Sequence, residues 1–137
     1  MSMTITLAVE NLERSADFYR EVVKLCPEEC RILPGHPPFL VMRQDESALL
    51  IRERAAVEAA HPAIFQHLDR QAKGVGITIE LETADLAGIH REACRRSLHI
   101  LYELVDDESG WQELWLHDPD GYLLILSQPP EAKPAPG

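Results

Sequence analysis

The sequence predicts an α+β fold made of two tandem βαβββ modules. Two segments alternate apolar and polar residues with the period of a half-buried strand, and each precedes an amphipathic helix that begins after a capping residue. Further strands follow each helix, and the last two strands of each set have similar sequences. This repeated order of elements indicates a duplicated unit.

The first module covers residues 3–53. Its opening segment, Thr4 to Glu10, places Ile5, Leu7 and Val9 on one side of a strand. Asn11 can cap the helix that follows, and this helix ends before Pro27. The remaining elements are a short strand near Cys30 to Leu33, the proline-rich turn PGHPP, and the strands FLVMRQ and ALLIRE joined by the turn QDES.

The second module covers residues 75–128, within a single domain of residues 1–128. Its elements are the strand GITIELE, a helix capped by Asp85 with Leu86, Ile89 and Ala93 on its apolar face, the strand HILYELV, and a hairpin of WQELWLH and YLLILSQ. The sequence of the insert, residues 54–74, predicts one or two helical turns. These turns either cover the mouth of a cavity or link the two halves. The final segment, 129–137, has the composition of a disordered tail.

An offset of 74 residues relates the two hairpins. It places Leu40 on Leu114, Met42 on Leu116, Leu49 on Leu123, Leu50 on Leu124 and Ile51 on Ile125, and four of these five pairs are identical. The turns QDES and DPDG are expected to have equal length. The hairpins should then correspond residue by residue.

Charge and composition exclude several classes of partner. The formal net charge of -10 argues against nucleic acid and against an anionic membrane, since both attract clustered Lys and Arg. The start of the sequence lacks the features of a signal peptide, and no apolar run is long enough to span a membrane. Cys26, Cys30 and Cys94 lack the spacing of a zinc site and fit reduced thiols, so the cytoplasm is expected.

The turn DPDG sets the register of the second hairpin. A type I turn with a glycine bulge at Gly121 pairs Asp118 with Tyr122, His117 with Leu123 and Trp115 with Ile125. One face then carries a mixed set of side chains: Glu113, Trp115, His117, Leu123 and Ile125. The other face is wholly apolar and suits packing against the helices: Leu114, Leu116, Leu124 and Leu126.

The repeat transfers the mixed face to the first module. It falls there on Phe39, Val41, Arg43, Leu49 and Ile51. A face with aromatic, aliphatic and few charged side chains fits the wall of a ligand cavity, and it fits the interface of a dimer equally well.

Two segments carry a family resemblance. ITLAVENLERSADFYREVVKL resembles the opening strand and helix of the vicinal oxygen chelate superfamily, which contains glyoxalases, bleomycin-resistance proteins and extradiol dioxygenases, and ELWLHDPDGYLLIL resembles its closing hairpin. The resemblance covers roughly residues 3–53 and 75–128. It implies a cupped mixed sheet with the helices on its convex side, and a homodimer in which the partner chain completes each cleft.

Metal-using members of this superfamily place ligands on the first and last strand of each module. The corresponding positions here are Thr4, Thr78 or Gly76, Ile125 and Ile51. None of these side chains is a usual ligand for a divalent metal in such a site. The resemblance therefore implies the metal-free, ligand-sequestering branch, which includes the bleomycin-resistance proteins, with no cofactor and no catalytic residue assigned.

These observations predict metal-independent binding of a small, partly aromatic molecule, such as an antibiotic or a hydrophobic metabolite. Trp111 and Trp115 could stack on a planar cation, or pack in the core or in a subunit contact. His117 could bond the ligand or the adjacent turn, and Arg43 could pair with an anionic ligand or with Glu113. The expected contacts are Phe39, Arg43, Trp111, Glu113, Trp115 and His117.

The alternative is a metal-dependent lyase, isomerase or dioxygenase with displaced ligands, for instance Glu53, Glu113 and His117. A third possibility is an interaction protein without catalytic activity. The sequence leaves open whether the chain is an enzyme, which ligand it binds, and what the insert does.

Overall fold

A computed structural model describes residues 1–131, in two compact units. The first unit is Met1–Lys73 and the second begins at Gly74. Each unit contains a four-stranded mixed sheet and a principal helix, so the predicted α+β class and the two modules are confirmed. The tail predicted at 129–137 extends into residues 132–137, which lie outside the described part of the chain.

The sheet of the first unit has the strand order β1-β4-β3-β2, in which β1 and β4 are parallel and the other pairs antiparallel. Its strands are β1 Met3–Val9, β2 Glu28–Cys30, β3 Phe39–Gln44 and β4 Ser47–Glu53. Helix α1, Leu12–Asp17, continues as a π-helical segment, Phe18–Val22. Asn11 caps α1 as predicted, because its side chain accepts a hydrogen bond from the Arg14 backbone N–H at 2.9 Å.

Helix α1 and its π-helical extension form the core of the first unit with one face of the sheet. Phe18, Tyr19 and Val22 are buried, and the rings of Phe18 and Tyr19 meet edge to face at 5.3 Å. On the sheet, Leu7, Leu40 and Ile51 are buried and lie side by side on three adjacent strands.

The second unit repeats this arrangement with the order β5-β8-β7-β6. Its elements are β5 Thr78–Glu82, helix α3 Leu86–Arg95, β6 Ile100–Val105, β7 Gln112–His117 and β8 Leu123–Gln128. The Asp85 carboxylate accepts a hydrogen bond from the Gly88 N–H at 3.0 Å, which confirms the predicted cap. Helix α3 buries Leu86, Ile89 and Ala93 and contacts β7 and β8.

Strand β2 lies earlier than the sequence predicts. It spans Glu28–Cys30, where Cys30 pairs with Phe39, and not Cys30 to Leu33. Pro37 and Pro38 lack a backbone N–H, so the chain before β3 cannot continue an antiparallel ladder and forms the connecting loop. Ile32 and Leu33 lie in this loop and are exposed.

The two hairpins differ by one residue, so the expected equality of their turns is wrong. Gln44 pairs with Ser47 around a two-residue loop in which Asp45 takes the left-handed conformation at φ 53°. The second hairpin has the predicted three-residue loop, since the Asp118 N–H bonds the Tyr122 carbonyl and Gly121 has a φ of 101°. The structural equivalent of Ile51 is therefore Leu126 and not Ile125.

The insert begins with helix α2, Arg54–Ala60, and contains a 3₁₀ turn, Leu68–Arg70. The helical turns predicted for this segment are thus present. Arg54 bonds Glu10 at 2.5 Å and Glu58 at 3.0 Å, and the other oxygen of Glu58 accepts the Leu68 N–H at 2.9 Å. The guanidinium of Arg54 lowers the pKa of Glu10, and Glu10 in turn raises the pKa of Arg54.

None of the helices described in residues 1–131 combines the length and apolar character needed to cross a membrane. Cys26, Cys30 and Cys94 are all free thiols.

Candidate functional site

The second unit brings three of the predicted site residues together around one carboxylate. Glu113 on β7 accepts the indole N–H of Trp111 at 3.0 Å through one oxygen and that of Trp115 at 3.1 Å through the other. An ionised carboxylate accepts such hydrogen bonds more strongly than a neutral group does, so both indoles are held in place. These three side chains and Tyr102 are called the indole cluster below.

Tyr102 is a member of this cluster that the sequence did not orient. Its ring lies 5.0 Å from that of Trp115, tilted by 57°, and the two residues are cross-strand partners on β6 and β7. The pairing of these strands is irregular between Ile100 and Tyr102, so alternation alone could not give the face of Tyr102. Tyr102 is 46% exposed, which leaves part of the aromatic surface open to a ligand.

The register predicted for the second hairpin is confirmed. His117 pairs with Leu123 and Trp115 with Ile125, so Glu113, Trp115 and His117 share a face as expected. His117 is exposed at the end of β7. The loop before Trp111 is ordered by Asp106, whose pKa is lowered by hydrogen bonds from the Ser109 hydroxyl and the Glu108 backbone N–H.

On the mixed face of the first unit, the residues contributed by β4 differ from those predicted. Phe39, Val41 and Arg43 lie on it as expected, but Leu49 and Ile51 lie opposite Met42 and Leu40, on the face that packs against α1. Because the first turn is one residue shorter, the residues of β4 that share the mixed face are Leu50 and Arg52. Leu50 lies opposite Val41.

The one-residue error in the predicted register of β4 left Arg52 out of the mixed face. Its guanidinium carbon lies 4.1 Å from the centre of the Phe39 ring. At this distance the cation and the ring face attract each other, and the planar guanidinium is held in a fixed orientation.

Phe39 and Arg52 form part of the wall of a cavity of about 460 Å³ within the first unit. The insert supplies another wall through Ala56, Val57 and Ala60 of α2 and through His61 and Phe65 beyond it. The loop before β3 and β1 contribute Ile32, His36, Pro37, Pro38 and Thr6. The insert therefore supplies part of the wall of this cavity.

Arg43 lies on the same face as Phe39 but is not one of the residues that line this cavity. It is exposed and pairs with Ala48 at the far end of β3. Of the predicted contacts in the first unit, only Phe39 lies in the cavity wall.

The four positions at which the resemblance implies metal ligands carry other side chains here. Ile125 is 7% exposed and presents hydrocarbon to the mixed face, where it lies opposite Trp115. Its equivalent on β4 is Leu50 rather than Ile51, and this side chain is also aliphatic. On the first strands, Thr4 and Thr78 offer only hydroxyl groups. Imidazole and carboxylate ligands are absent from these four positions.

Of the alternative ligand set, Glu53 lies in the first unit, and Glu113 and His117 lie in the second. The Glu53 carboxylate accepts the Leu12 backbone N–H at 3.4 Å, at the start of α1. Within residues 1–131, no group of three or more His, Cys, Asp or Glu side chains is arranged to hold a metal ion.

The fold is shared with solved structures of low sequence identity. A lactoylglutathione lyase from Agrobacterium tumefaciens is 16% identical, with a TM-score of 0.61 over 93% of this chain and 92% of the other. A member of the glyoxalase/bleomycin resistance protein/dioxygenase superfamily from Sphaerobacter thermophilus is 16% identical, with a TM-score of 0.62 over 93% and 96%. A glyoxalase/bleomycin resistance protein/dioxygenase from Nocardioides is 13% identical, with a TM-score of 0.64 over 100% and 88%.

The chain thus has the fold of the glyoxalase/bleomycin resistance/dioxygenase superfamily, as the resemblance in the sequence implied. No protein-family model and no curated protein matches the sequence.

Proposed function

We propose that the protein binds a small, partly aromatic molecule without the help of a metal ion. The observation that carries this proposal is the cavity of the first unit, at about 460 Å³. Pockets for small molecules range over about 300–1,000 Å³, with apolar walls and a few polar groups that orient the ligand. The cavity has this composition, since its walls are mainly aliphatic and aromatic and its polar side chains are Arg52, His36, His61 and Thr6.

Arg52 sets the chemistry of the ligand. It is held against Phe39, so a bound molecule does not have to order its flexible side chain, and less entropy is lost on binding. A guanidinium recognises carboxylate, sulfonate and phosphate groups through paired N–H donors. The favoured ligand is therefore an aromatic or hydrophobic molecule with an anionic group, of the size of many antibiotics and hydrophobic metabolites.

The indole cluster is the second surface in this proposal. Trp111, Trp115 and Tyr102 offer ring faces to a planar group, and Glu113 fixes the two indoles before a ligand arrives. His117 lies further along this face, and we retain it as a ligand contact of the second unit. Arg43 lies on the mixed face of the first unit, and we retain it as a weaker contact of that unit, outside the cavity wall.

Metal independence rests on the chemistry of the side chains. Ile125 and Leu50 stand where a metal-using relative of this fold would need carboxylates. Purified protein should bind its ligand equally well before and after dialysis against a chelator. An affinity that falls on chelation and returns with one added metal would support the alternative enzyme.

We also propose that the chain forms a homodimer in the cytoplasm. Strand β1 is the first strand of its four-stranded sheet with Met3 and Ile5 exposed, and exposed apolar side chains favour association with another chain. The three free thiols suit a reducing compartment. Light scattering coupled to size-exclusion chromatography should give twice the mass of one chain, and a monomer at micromolar concentration would refute the dimer.

A matched pair of probes tests the cavity. 1-Anilinonaphthalene-8-sulfonate and N-phenyl-1-naphthylamine share an aromatic body, but only the first carries a negative charge. Titration calorimetry should show tighter binding of the sulfonate, and Arg52→Gln should weaken it by roughly tenfold or more, since hydrogen bonds to charged groups contribute about 1.5–3 kcal/mol.

Arg43→Gln is the control, because it removes the same charge from the same face outside the cavity. It should reduce sulfonate affinity less than Arg52→Gln does. Equal affinities of wild type and Arg52→Gln for both probes would overturn the assignment of the cavity. Ligand-induced changes in amide chemical shifts that do not include Phe39 and Val57 would also overturn this assignment.

A further inference from the structure

Three side chains form a linear chain of contacts on the helical side of the second unit. His90 and Cys94 lie one turn apart on α3 and therefore share a face of the helix. The Cys94 Sγ lies 3.7 Å from His90 Nδ1, and His90 Nε2 lies 2.5 Å from Oε1 of Glu103 on β6. The order of thiol, imidazole and carboxylate is that of an activated thiol nucleophile.

The carboxylate determines which ring nitrogen can act as a base. An ionised Glu103 only accepts hydrogen bonds, so it favours the tautomer of His90 with its proton on Nε2. Nδ1 then presents its lone pair to the thiol of Cys94 and can take the proton from Sγ. Glu103 is a positioning residue in this arrangement, since it acts through His90 and stabilises the imidazolium that forms.

These side chains are accessible, and Glu103 lies on the other face of the sheet from the rings of the indole cluster. Cys94 is exposed, and the side chains of His90 and Glu103 are 46% and 50% exposed. Glu103 lies opposite Leu114, a residue of the helix-packed face, whereas Trp115 and Tyr102 lie on the mixed face. The inference therefore does not depend on the proposed function.

We propose that Cys94 is a site of reversible modification by small disulfides. The Cys94 thiol gives its proton to His90 Nδ1 as Sγ attacks one sulfur of the disulfide. A new S–S bond forms, the old one breaks, and the departing thiolate takes the proton back from His90. The co-reactant is the disulfide itself, which is reduced to one free thiol as Cys94 is oxidised to the mixed disulfide.

The other two cysteines provide internal controls. Cys26 is exposed, like Cys94, and Cys30 is partly exposed. The probe is bis(2-hydroxyethyl) disulfide, which is small and uncharged. Quenched samples of the full chain are digested, and peptide mass spectrometry gives the rate of mixed-disulfide formation at each cysteine.

Cys94 should react roughly 100-fold faster than Cys26, which is the lower end of what a well-placed general base contributes. His90→Ala should reduce the rate at Cys94 to that of Cys26 and leave the rate at Cys26 unchanged, and free imidazole should restore part of it. Equal rates at Cys94 and Cys26 in the wild type would overturn the proposal. So would a His90→Ala variant that is folded by circular dichroism and reacts as fast as the wild type.

The role of Glu103 has a spectroscopic signature. Nitrogen shifts of the His90 ring should show the proton on Nε2 in the wild type and a mixture of tautomers in Glu103→Gln. Glu103→Gln should slow mixed-disulfide formation at Cys94 in the wild-type background and have no effect on that rate in the His90→Ala background. Additive losses from the two changes would show that Glu103 does not act through His90.

Discussion

Ile51 lies directly opposite Leu40 in the antiparallel pair of β3 and β4, and both side chains are buried on the face that packs against α1. Ile51 is 0% exposed and also pairs with Leu7 on β1. Truncation of such a residue removes apolar contacts and leaves a cavity. We expect Ile51→Ala to lower the free energy of unfolding by about 2–5 kcal/mol in chemical denaturation.

Leu50→Ala is the matched control for this substitution. Leu50 is the adjacent residue, is only partly buried, and faces the other side of the sheet. Its truncation should cost clearly less than that of Ile51. The reverse order would mean that β4 has the register expected from the 74-residue offset.

The insert provides a second test, in which the cavity is filled from α2. Ala56 lines the cavity and α2 has no fully buried residue, so a larger side chain should be tolerated by the fold. Ala56→Trp should weaken the binding of 1-anilinonaphthalene-8-sulfonate at least about tenfold, because the indole takes the space of a ligand ring. The measurement is titration calorimetry, with circular dichroism as the check on folding.

Ala59→Trp places the same side chain on the same helix, at an exposed position outside the cavity. It should leave the affinity unchanged. Equal losses in the two variants would indicate that tryptophan disturbs α2 as a whole, and unchanged binding in Ala56→Trp would place the ligand elsewhere.

Local chemistry made much of this fold predictable from sequence. Asn11 and Asp85 start their helices because each offers a side-chain oxygen to a free backbone N–H of the first turn. Asp118 and Gly121 determine the second hairpin in the same way, since the Asp118 carboxylate accepts the N–H groups of Asp120 and Tyr122. Each feature depends on residues within four positions of one another.

The missed features depend on contacts that local patterns do not contain. The two-residue loop at Asp45 requires a positive φ from a residue other than glycine. Because this loop is one residue shorter than expected, Arg52 lies on the mixed face. The face of β6 on which Tyr102 lies could be predicted only from the position of the irregularity in that strand. The contact of His90 with Glu103 required knowledge that β6 passes beside α3. In the first two cases an error of one residue exchanges the two faces of a strand.

Glu113 offers a test of the indole cluster by tryptophan spectroscopy. The chain contains two tryptophans, and Glu113 accepts the N–H of both. In Glu113→Gln only one amide oxygen remains as an acceptor, so one indole should lose its partner. We expect weaker near-ultraviolet circular dichroism, a changed fluorescence emission, and a loss of about 1 kcal/mol in the free energy of unfolding.

Glu80→Gln is the control for charge, because Glu80 lies opposite Ile125 on the same face. It should leave both spectra unchanged. Trp111→Phe and Trp115→Phe assign the signals to each indole. Identical spectra of wild type and Glu113→Gln would contradict the contacts of Glu113.

The end of helix α3 predicts how stability depends on acid. Glu92 accepts hydrogen bonds from Arg95 at 2.9 Å and 2.5 Å and from Arg96 at 2.8 Å, and these bonds lower its pKa from 4.5 to about 2. A lowered pKa in the folded state means that the contribution to stability is complete above the unfolded value of 4.5 and is lost as the pH falls toward about 2. Above pH 5, Glu92→Gln should therefore have a lower Tm than the wild type, and the difference should shrink as the pH falls from 4.5 toward about 2.

The control is a background with Arg95→Gln and Arg96→Gln. There the difference in Tm should be small at every pH, because the partners of the carboxylate are gone. A difference in Tm that stays constant from pH 6 to pH 2 would show that the two arginines do not stabilise the ionised form of Glu92.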